Sequence, residues 1–367
     1  MSETPSQQTM SETPSQQTPV MQANQADAEH PADSAAIRAA RRKGRARRIA
    51  LIAVASLVAV VGVVALGGFL AVRHLEGNIH RIPNVFTRLT AATRPVMPTA
   101  TRHSMTILLT GSDTLPAQRG GSGIDASSTA PQEPSALIAL VHINANRKAG
   151  AIVSIPADVV AHVPGHGRRK ISDSLALGGP SLLIATLQRL TGVRIDHYSV
   201  VSVAGLASAL GPLGGVNVVL PAPATSNGVA FHAGVNHLTS ATALDYAEQA
   251  SLSEEGHALR QQALLRAILD KLAHEHLLSD PASAFGILNA FTKALSVDSN
   301  FSNSQLQSLA MHLNLLGASA GTFVTAPVQH NHLREPVSSR LWKAIRNDAV
   351  AAFARQHPAA VTAAAPN

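Results

Sequence analysis

The sequence predicts a mixed α/β domain, a central sheet covered by helices on both faces, preceded by one transmembrane helix. From Met105 onward, short β-branched or apolar runs alternate with segments of helical apolar spacing, which is typical of a sheet that carries helices. Residues 49–72 are continuously apolar over about the length that crosses a bilayer, which predicts the transmembrane helix.

A basic run precedes the predicted span. Residues 38–48 hold seven of the 29 Lys and Arg residues, and without these seven the basic count equals the 22 Asp and Glu residues. The net charge of +7 therefore comes from one patch beside the membrane and does not indicate a nucleic-acid-binding domain. Basic charge on this side predicts a single-pass plasma-membrane protein with a cytoplasmic N-terminus and an extracytoplasmic C-terminal domain.

The chain divides by composition. The first 48 residues are rich in Gln, Ser, Thr and Pro, contain "MSETPSQQT" twice and are expected to be disordered. The predicted parts are a disordered cytoplasmic tail at 1–48, the transmembrane helix at 49–72, a proline-containing stalk at 73–104, an extracytoplasmic domain at 105–357 with its core at 105–272, and a disordered tail at 358–367.

Apolar runs and turn residues predict the strands and helices of the exported domain. Strands are expected at 105–113, 136–144, 149–156, 195–203, 215–220 and 321–328. Helices are expected at 179–192, 204–211, 239–249, 257–276, 303–317 and 338–356. Between the third strand and the first helix, the glycine-rich stretch "PGHGRR" is expected to be a loop.

Several stretches together resemble one family. "TILLTGSD", "LVHIN", "SIPADV", "PGHGRRKISDSLALGGP", "IDHYSVV", "LGPLGGVNV", "HLTSATALDY" and "LRQQALLRAIL" occur in the order and nearly the spacing of the LytR-CpsA-Psr domain. The resemblance implies an α/β/α sandwich with a lipid pocket beside its sheet. It also implies cell-wall biogenesis: phosphotransferases of this family attach glycopolymers from polyprenyl-pyrophosphate carriers to the wall. The alanine-rich composition is typical of a GC-rich, actinobacterial-type genome.

The resemblance also implies site residues. It assigns metal binding to Asp113, phosphate or lipid binding to Lys170, and catalytic roles to Asp158, Arg260 and Gln261. Such a site holds phosphoryl oxygens with guanidinium groups and a hard cation such as Mg²⁺ with carboxylates. Arg119 and Arg169, in neighbouring loops, are further candidates for phosphate or lipid binding.

The sequence departs from the family pattern at other charged positions. One of the two metal-binding aspartates is replaced by Ala136, which weakens the expectation of Mg²⁺. Arginines of the pattern are replaced by Pro134, Ala157, Glu248, Ala250 and His257. Because each such electrostatic contact is worth roughly 3 to 4 kcal/mol in the transition state, the ligase reaction is expected to be weakened or lost. The protein is then expected to bind polyprenyl (pyro)phosphate lipid, wall glycopolymer or a partner enzyme.

Two other functions remain open. An active phosphotransferase requires Arg119, Arg168 and Arg169 to converge on Asp113 and Lys170. An envelope-linked transcriptional regulator requires a DNA-binding element on the cytoplasmic side, where only the first 48 residues are predicted to lie.

Simpler structural interpretations also exist for the candidate residues. Asp113 can cap a turn, Lys170 can be a solvated loop lysine, and Arg260 can pair with Glu254 or Glu255 on a helix surface. The histidines at 162, 166, 330 and 332 lack the spacing of a zinc site.

Overall fold

The structure is a computed structural model that describes residues 67–68, 70–90, 94–112, 137–247, 254–274, 281–311, 313–316 and 321–361. Within these ranges, no helix is both long enough and apolar enough to cross a membrane. Most of the predicted span at 49–72, the predicted cytoplasmic tail and most of the C-terminal tail lie outside the described residues.

Fifteen strands are described, and seven of them form the central sheet. The central strands are β1 (His80–Ile82), β2 (Met105–Ser112), β3 (Ile138–Ile143), β4 (Gly150–Ser154), β7 (His197–Ser202), β12 (Leu295–Asp298) and β13 (Gly321–Thr325). Paired outside this sheet are β5 (Val160–Val163) with β6 (Gly167–Lys170), β8 (Val216–Leu220) with β11 (Gly234–Leu238), β9 (Ala224–Ser226) with β10 (Val229–Phe231), and β14 (Val328–Gln329) with β15 (His332–Leu333).

The central sheet is mixed, as predicted. Its order is β1-β12-β7-β2-β3-β4-β13. Three neighbouring pairs are parallel, namely β1 with β12, β2 with β7 and β4 with β13, and the other three are antiparallel. Strands β2, β4, β7 and β13 therefore all run in one direction, so their carboxyl ends meet on one side of the sheet, called here the carboxyl end.

The described helices belong to the layers on either side of the sheet. They are α1 (residues 70–78), α2 (Asp173–Thr191), α3 (Val203–Leu213), α4 (Ala243–Ala247), α5 (Glu254–His274), α6 (Pro281–Ala294), α7 (Asn303–Met311), α8 (Val337–Arg346) and α9 (Val350–Gln356). Short 3-10 helices lie at Thr99–Thr101, Leu313–Leu316 and Pro358–Ala360.

Two apolar clusters pack on opposite faces of the sheet. Alternate side chains of β2 enter different clusters: Ile107 and Leu109 pack with α3, α4 and α5, whereas Leu108 packs with α2, α8 and α9. This alternation follows from the two-residue repeat of a strand, and it confirms the predicted helical layers on both faces. These layers are called here the first cluster, on the α5 face, and the second cluster, on the α2 face.

Several elements differ from the expectation; α6 and β12, for example, lie where no element was expected. The segment expected to be a stalk supplies β1, which pairs in parallel with β12, and Ile82 is fully buried. The glycine-rich loop contains the hairpin of β5 and β6, with Gly165 and Gly167 at positive φ in its turn. The helix expected at 338–356 is two helices, α8 and α9, separated at Asp348, whose φ is 55°.

A chain of buried and partly buried hydrogen bonds fixes the turn between α8 and α9. Thr106 Oγ1 and His142 Nδ1 are 2.9 Å apart, and His142 Nε2 lies 2.8 Å from Asp348 Oδ1. The other carboxylate oxygen of Asp348 accepts the backbone N–H of Ala145 at 2.7 Å. Asp348 therefore connects the C-terminal helices to strands β2 and β3.

Replacing Asp348 by alanine is expected to lower the free energy of unfolding by about 2 kcal/mol, since His142 and the Ala145 N–H lose their acceptor. Unfolding can be followed through the fluorescence of Trp342, the single tryptophan, which is buried in α8 near this turn. Asp245→Ala is the matched control, because that carboxylate accepts one exposed bond from Asn227. An equal loss in both variants would contradict the role given to Asp348.

Candidate functional site

Two of the candidate residues, Asp158 and Lys170, follow β4 at the carboxyl end of the sheet. Ser112 in β2 lies opposite Ser202 in β7, and Ser154 in β4 lies opposite Thr325 in β13. Ser202 also caps α3 by accepting the backbone N–H of Gly205 at 3.1 Å. Loops and helix starts from four strands thus converge here, the arrangement that favours ligand sites in α/β folds.

Asp158 and Lys170 lie together at the base of the hairpin formed by β5 and β6. Asp158 is in the turn just after β4, and Lys170 ends β6 opposite Val160. Backbone bonds close this base: Ile171 N donates to Val159 O at 2.9 Å and Ser172 N donates to Ala157 O at 3.0 Å. Both candidate side chains are half-buried.

Ala157 occupies an apolar site beside them. Its side chain is 6% exposed and belongs to the second cluster with Val159 and Ile171. The resemblance noted in the sequence places an arginine at this position, whereas the structure has a methyl group packed among apolar side chains. The charged side chains of the candidate set at this strand end are therefore Asp158 and Lys170.

Arg168 and Arg169 contact their own hairpin and its neighbour. Both side chains are exposed. Arg169 Nε donates to His166 O at 3.3 Å, and Arg168 Nη2 donates to His332 Nδ1 at 3.5 Å. These contacts lie on the surface of the hairpin, which gives no support to an active site rebuilt from relocated arginines.

Arg260 is held on the other face of the sheet. Its Cζ lies 4.6 Å from the centre of the Tyr246 ring, within the range of a cation–π interaction. Tyr246 is 1% exposed and meets Phe231 edge to face, with ring centres 5.9 Å apart. The side chain of Arg260 is thus positioned by α4 and is half-buried, unlike an ordinary helix-surface arginine.

Burial raises the pKa of the Tyr246 phenol above its ordinary value of 10.0, and the neighbouring Arg260 guanidinium opposes this shift. The phenol is therefore neutral at physiological pH and does not compete with a ligand anion for the guanidinium.

The buried polar atoms that lack a hydrogen-bond partner in the described part of the chain include one in α5 and one at the end of β4. They are Gln261 Oε1, on a side chain that is 6% exposed, and Ser154 Oγ, on a residue that is 8% exposed. An unmet buried polar group costs about 1 to 3 kcal/mol, so a ligand that supplies hydrogen-bond donors gains free energy there.

Helix α5 also contains a charged pair, Arg266 and Asp270, that was not predicted from the sequence. Arg266 Cζ lies 4.4 Å from the ring centre of Phe323, and its Nε lies 3.8 Å from Asp270 Oδ2. Burial lowers the pKa of Arg266, and Asp270 acts in the opposite direction. The signal available in the sequence is the opposite charge four residues apart on one face of the helix.

The candidate residues fall into two groups on opposite faces of the sheet. Asp158 and Lys170 adjoin the second cluster, whereas Arg260 and Gln261 belong to α5 beside the first. A ligand that contacts both groups has to cross the carboxyl end. The segment 113–136, which connects β2 to β3 there, lies outside the described residues, and so do Asp113 and Arg119.

In the part of the chain that the structure describes, no three carboxylate or imidazole side chains could share a metal ion. Asp113 and Ala136 are not among those residues. The Mg²⁺ expectation remains a prediction of the sequence, and no reaction step is assigned to a metal.

The comparison with known families agrees with this geometry. The model of the LytR_cpsA_psr family matches residues 85–346. The chain belongs to the LytR-CpsA-Psr family. The match includes part of the segment expected to be a stalk, consistent with the packing of that segment into the domain.

Curated relatives of the LytR-CpsA-Psr family match parts of the chain. The probable cell wall biosynthesis protein LcpB of Corynebacterium glutamicum is 32% identical over 143 residues, 38% of this chain and 34% of LcpB. The regulatory protein MsrR of Staphylococcus aureus is 25% identical over 233 residues, 62% of this chain and 66% of MsrR. The chain thus spans from about a third to just under two thirds of the length of these relatives.

Solved structures of the family share the fold. A LytR-Csp2A-Psr enzyme from Actinomyces oris superposes with a TM-score of 0.53 at 19% identity, covering 69% of this chain and 93% of that one. A structure described as TagT bound to LIIa-WTA gives a TM-score of 0.51 at 21% identity, covering 73% and 99%. These similarities support the mixed α/β architecture.

Tyr246 is expected to titrate above pH 10, and Arg260→Gln is expected to move its pKa higher still by removing the opposing charge. The chain has two tyrosines, so Tyr198→Phe leaves Tyr246 as the only phenol to follow by tyrosinate absorbance. The pKa of Tyr246 is raised only in the folded state, so the phenol of the unfolded chain loses its proton at lower pH. The contribution of the neutral Tyr246 phenol to stability is therefore lost as pH rises above 10.

Arg189→Gln on the exposed surface of α2 is the charge-matched control and should leave the titration of Tyr246 unchanged. A downward shift in Arg260→Gln would show that the guanidinium does not face the ring.

Proposed function

We propose that this protein is a membrane-anchored member of the LytR-CpsA-Psr family that binds a polyprenyl phosphate lipid or wall glycopolymer and has weakened or lost ligase chemistry. Its exported domain lies outside the plasma membrane, with the N-terminus in the cytoplasm. The names of relatives support the cell-wall context, since one of them, TagU of Bacillus mycoides, is a polyisoprenyl-teichoic acid–peptidoglycan teichoic acid transferase, 29% identical over 171 residues.

The observation that carries the proposal is the contrast between two cation positions. Arg260 is kept and is oriented by the ring of Tyr246 beside the unpartnered amide oxygen of Gln261. Ala157, across the sheet, places a buried methyl group where the family pattern has a guanidinium. One side keeps a guanidinium that can hold an anion, whereas the other lacks the guanidinium of the pattern and keeps only Lys170.

This contrast separates binding from catalysis. A guanidinium with a fixed plane binds phosphoryl oxygens through paired N–H donors, so Arg260 suffices to anchor a phosphate. Phosphoryl transfer additionally needs charge stabilisation around the transferring group. Losing an oriented contact of that type costs about a hundredfold to a thousandfold in rate.

Full-length protein in detergent, given a polyprenyl-pyrophosphate-linked glycan and Mg²⁺, is expected to release no more polyprenyl phosphate than the Asp113→Ala variant. A family member that keeps the arginines of the pattern serves as the positive control. Clear release that depends on Asp113 would instead establish an active phosphotransferase.

Arg260→Ala is expected to weaken binding of a fluorescent polyprenyl phosphate about tenfold, since one charge-assisted contact is worth about 1.5 to 3 kcal/mol. Arg189→Ala, which removes an exposed arginine from α2, should change the affinity little. The binding part of the proposal fails if the two variants bind equally well.

A further inference from the structure

The two hairpins between α3 and α4 form a surface without charged residues. Residues 197–244 contain no Asp, Glu, Lys or Arg, in a chain whose residues are 14% charged. The inner side chains of the larger hairpin, β8 with β11, pack in the first cluster. Its outer side, called here the ribbon face, is exposed and consists of Asn217, Val219, Val235 and His237.

Two valines occupy the middle of the ribbon face. Val219 and Val235 lie directly opposite each other in the ladder and are 39% and 55% exposed. The neighbouring polar pair is satisfied internally, since His237 Nδ1 lies 2.9 Å from Asn217 Oδ1. Exposed strands in soluble proteins commonly carry charged side chains that prevent contact with other surfaces, and this ribbon carries no Lys, Arg, Asp or Glu. The ribbon face can therefore leave water without desolvating a carboxylate, an ammonium or a guanidinium group.

Helix α1 connects the domain directly to the predicted membrane span. Residues 70–72 belong both to α1 and to the apolar run at 49–72, and Leu70 is 57% exposed. α1 is fixed to α6, because Asn78 Nδ2 donates to Asn289 Oδ1 at 2.9 Å. Helix and strand follow each other closely from residue 70 to Ile82, where a stalk was expected. A bilayer that holds the span is thus within reach of the domain surface around α1.

Packing contacts place the ribbon near this part of α1. The ring of His74 in α1 lies 5.9 Å from the ring of Phe285 in α6. The next residue, Gly286, faces the last turn of α3, since a Cβ at Gly286 would lie 3.9 Å from Pro212 Cβ. β8 begins shortly after this turn, at Val216. α1 and the beginning of the ribbon are therefore neighbours across the first half of α6.

A lipid bilayer fits the ribbon face better than a second copy of the chain. At the usual strand spacings the face covers roughly 200 Å², compared with about 800 Å² for each partner of a stable dimer. A bilayer contact needs less area, because the predicted span already holds the ribbon close to the lipid surface. The lack of charged residues also disfavours partners that bind through charge, such as nucleic acids or acidic polymers.

We infer that the ribbon face and the start of α1 rest on the lipid bilayer, with Val219 and Val235 in its interfacial region. The contact holds the domain in one orientation relative to the membrane. The inference rests on the membrane anchoring in the proposed function and adds the surface that meets the lipid. It is separate from the candidate site at the carboxyl end of the sheet.

Single cysteines can report on this contact in the full-length protein, because the chain contains no cysteine. Val235→Cys is labelled with an environment-sensitive NBD fluorophore in phosphatidylcholine nanodiscs. The label is expected to emit at shorter wavelength than in water and to be quenched by doxyl-labelled lipid. High salt and added phosphatidylglycerol should change neither property, since the contact has no ionic part.

The matched control is Lys343→Cys, at an exposed position of α8 on the opposite face of the sheet. Its label is expected to emit as in water and to be quenched by iodide and not by doxyl lipid. Equal iodide quenching of the labels at 235 and 343 would overturn the inference.

A carboxylate on the ribbon face is expected to abolish the contact. With the label moved to the exposed Ala233→Cys, Val235→Asp should remove the emission shift, because the carboxylate has to stay in water. Val235→Ile keeps the apolar surface and should keep the shift. Ala351→Asp adds the same charge to an exposed position of α9 on the other face and should also keep it. Equal losses in the two aspartate variants would reduce the effect to net charge and overturn the inference.

Two further outcomes would identify a different partner and overturn the inference. An emission shift that appears only in nanodiscs carrying two copies of the protein would identify a dimer contact. A shift that requires phosphatidylglycerol and disappears in salt would identify an electrostatic contact.

A label at Ala59→Cys, in the predicted span, separates this inference from the proposed function. Lipid quenching at 59 without lipid quenching at 235 leaves the membrane anchoring standing and removes the ribbon contact. Absence of lipid quenching at 59 removes the anchoring and, with it, the inference.

Discussion

Strand β2 is buried on both faces and hydrogen-bonded on both sides, and this constraint decides where the other elements lie. Leu108 enters one apolar cluster while Ile107 and Leu109 enter the other, so helices must cover both faces. Its parallel partner β7 follows only after four further strands, two of which belong to the central sheet, and α2. Strand ends separated by ninety residues in the chain, Ser112 and Ser202, consequently meet at the carboxyl end.

The same constraint separates the polar groups of the candidate site. Because the sheet interior is apolar, charged side chains that serve one ligand have to reach it from the two helical layers and meet beyond the strand ends. Arg260 belongs to the α5 layer, where the ring of Tyr246 orients it. Asp158 and Lys170 belong to the turn and hairpin that follow β4, beside the α2 layer. A substitution in one group therefore leaves the contacts of the other group undisturbed.

The sequence predicted the elements whose conformation follows from the local pattern of residues. The runs of β2, β3 and β4 are mostly apolar, which is typical of strands buried on both faces, and each lies within one or two residues of its expected bounds. The α8–α9 break was missed because it is fixed by contacts of Asp348 with His142 and Ala145, about two hundred residues away. β1 was missed because three residues carry no period, and their strand conformation depends on pairing with β12.

The sequence predicted which residues are candidates for the site, but it did not predict which side chains contact them. The family pattern identified Arg260 and Gln261 as candidates, but the cation–π contact with Tyr246 and the unmet amide oxygen depend on how α4 and α5 pack. The β5–β6 hairpin was expected to be a loop because its glycines and basic residues hide the strand alternation. Its contact with β14 and β15 depends on a chain reversal after β13.

The distance over which a cation must act on its ligand differs between catalysis and polymer binding. A cation that stabilises a transferring phosphoryl group has to lie within hydrogen-bond distance of it, so distant surface charges do not substitute for a cation at the strand end, where Ala157 lies. A cation that holds a polymer acts across the Debye length, about 8 Å at physiological salt, and tolerates imprecise placement. A protein of this family can thus lose the reaction while retaining attraction for a charged polymer, because the two properties depend on different distances.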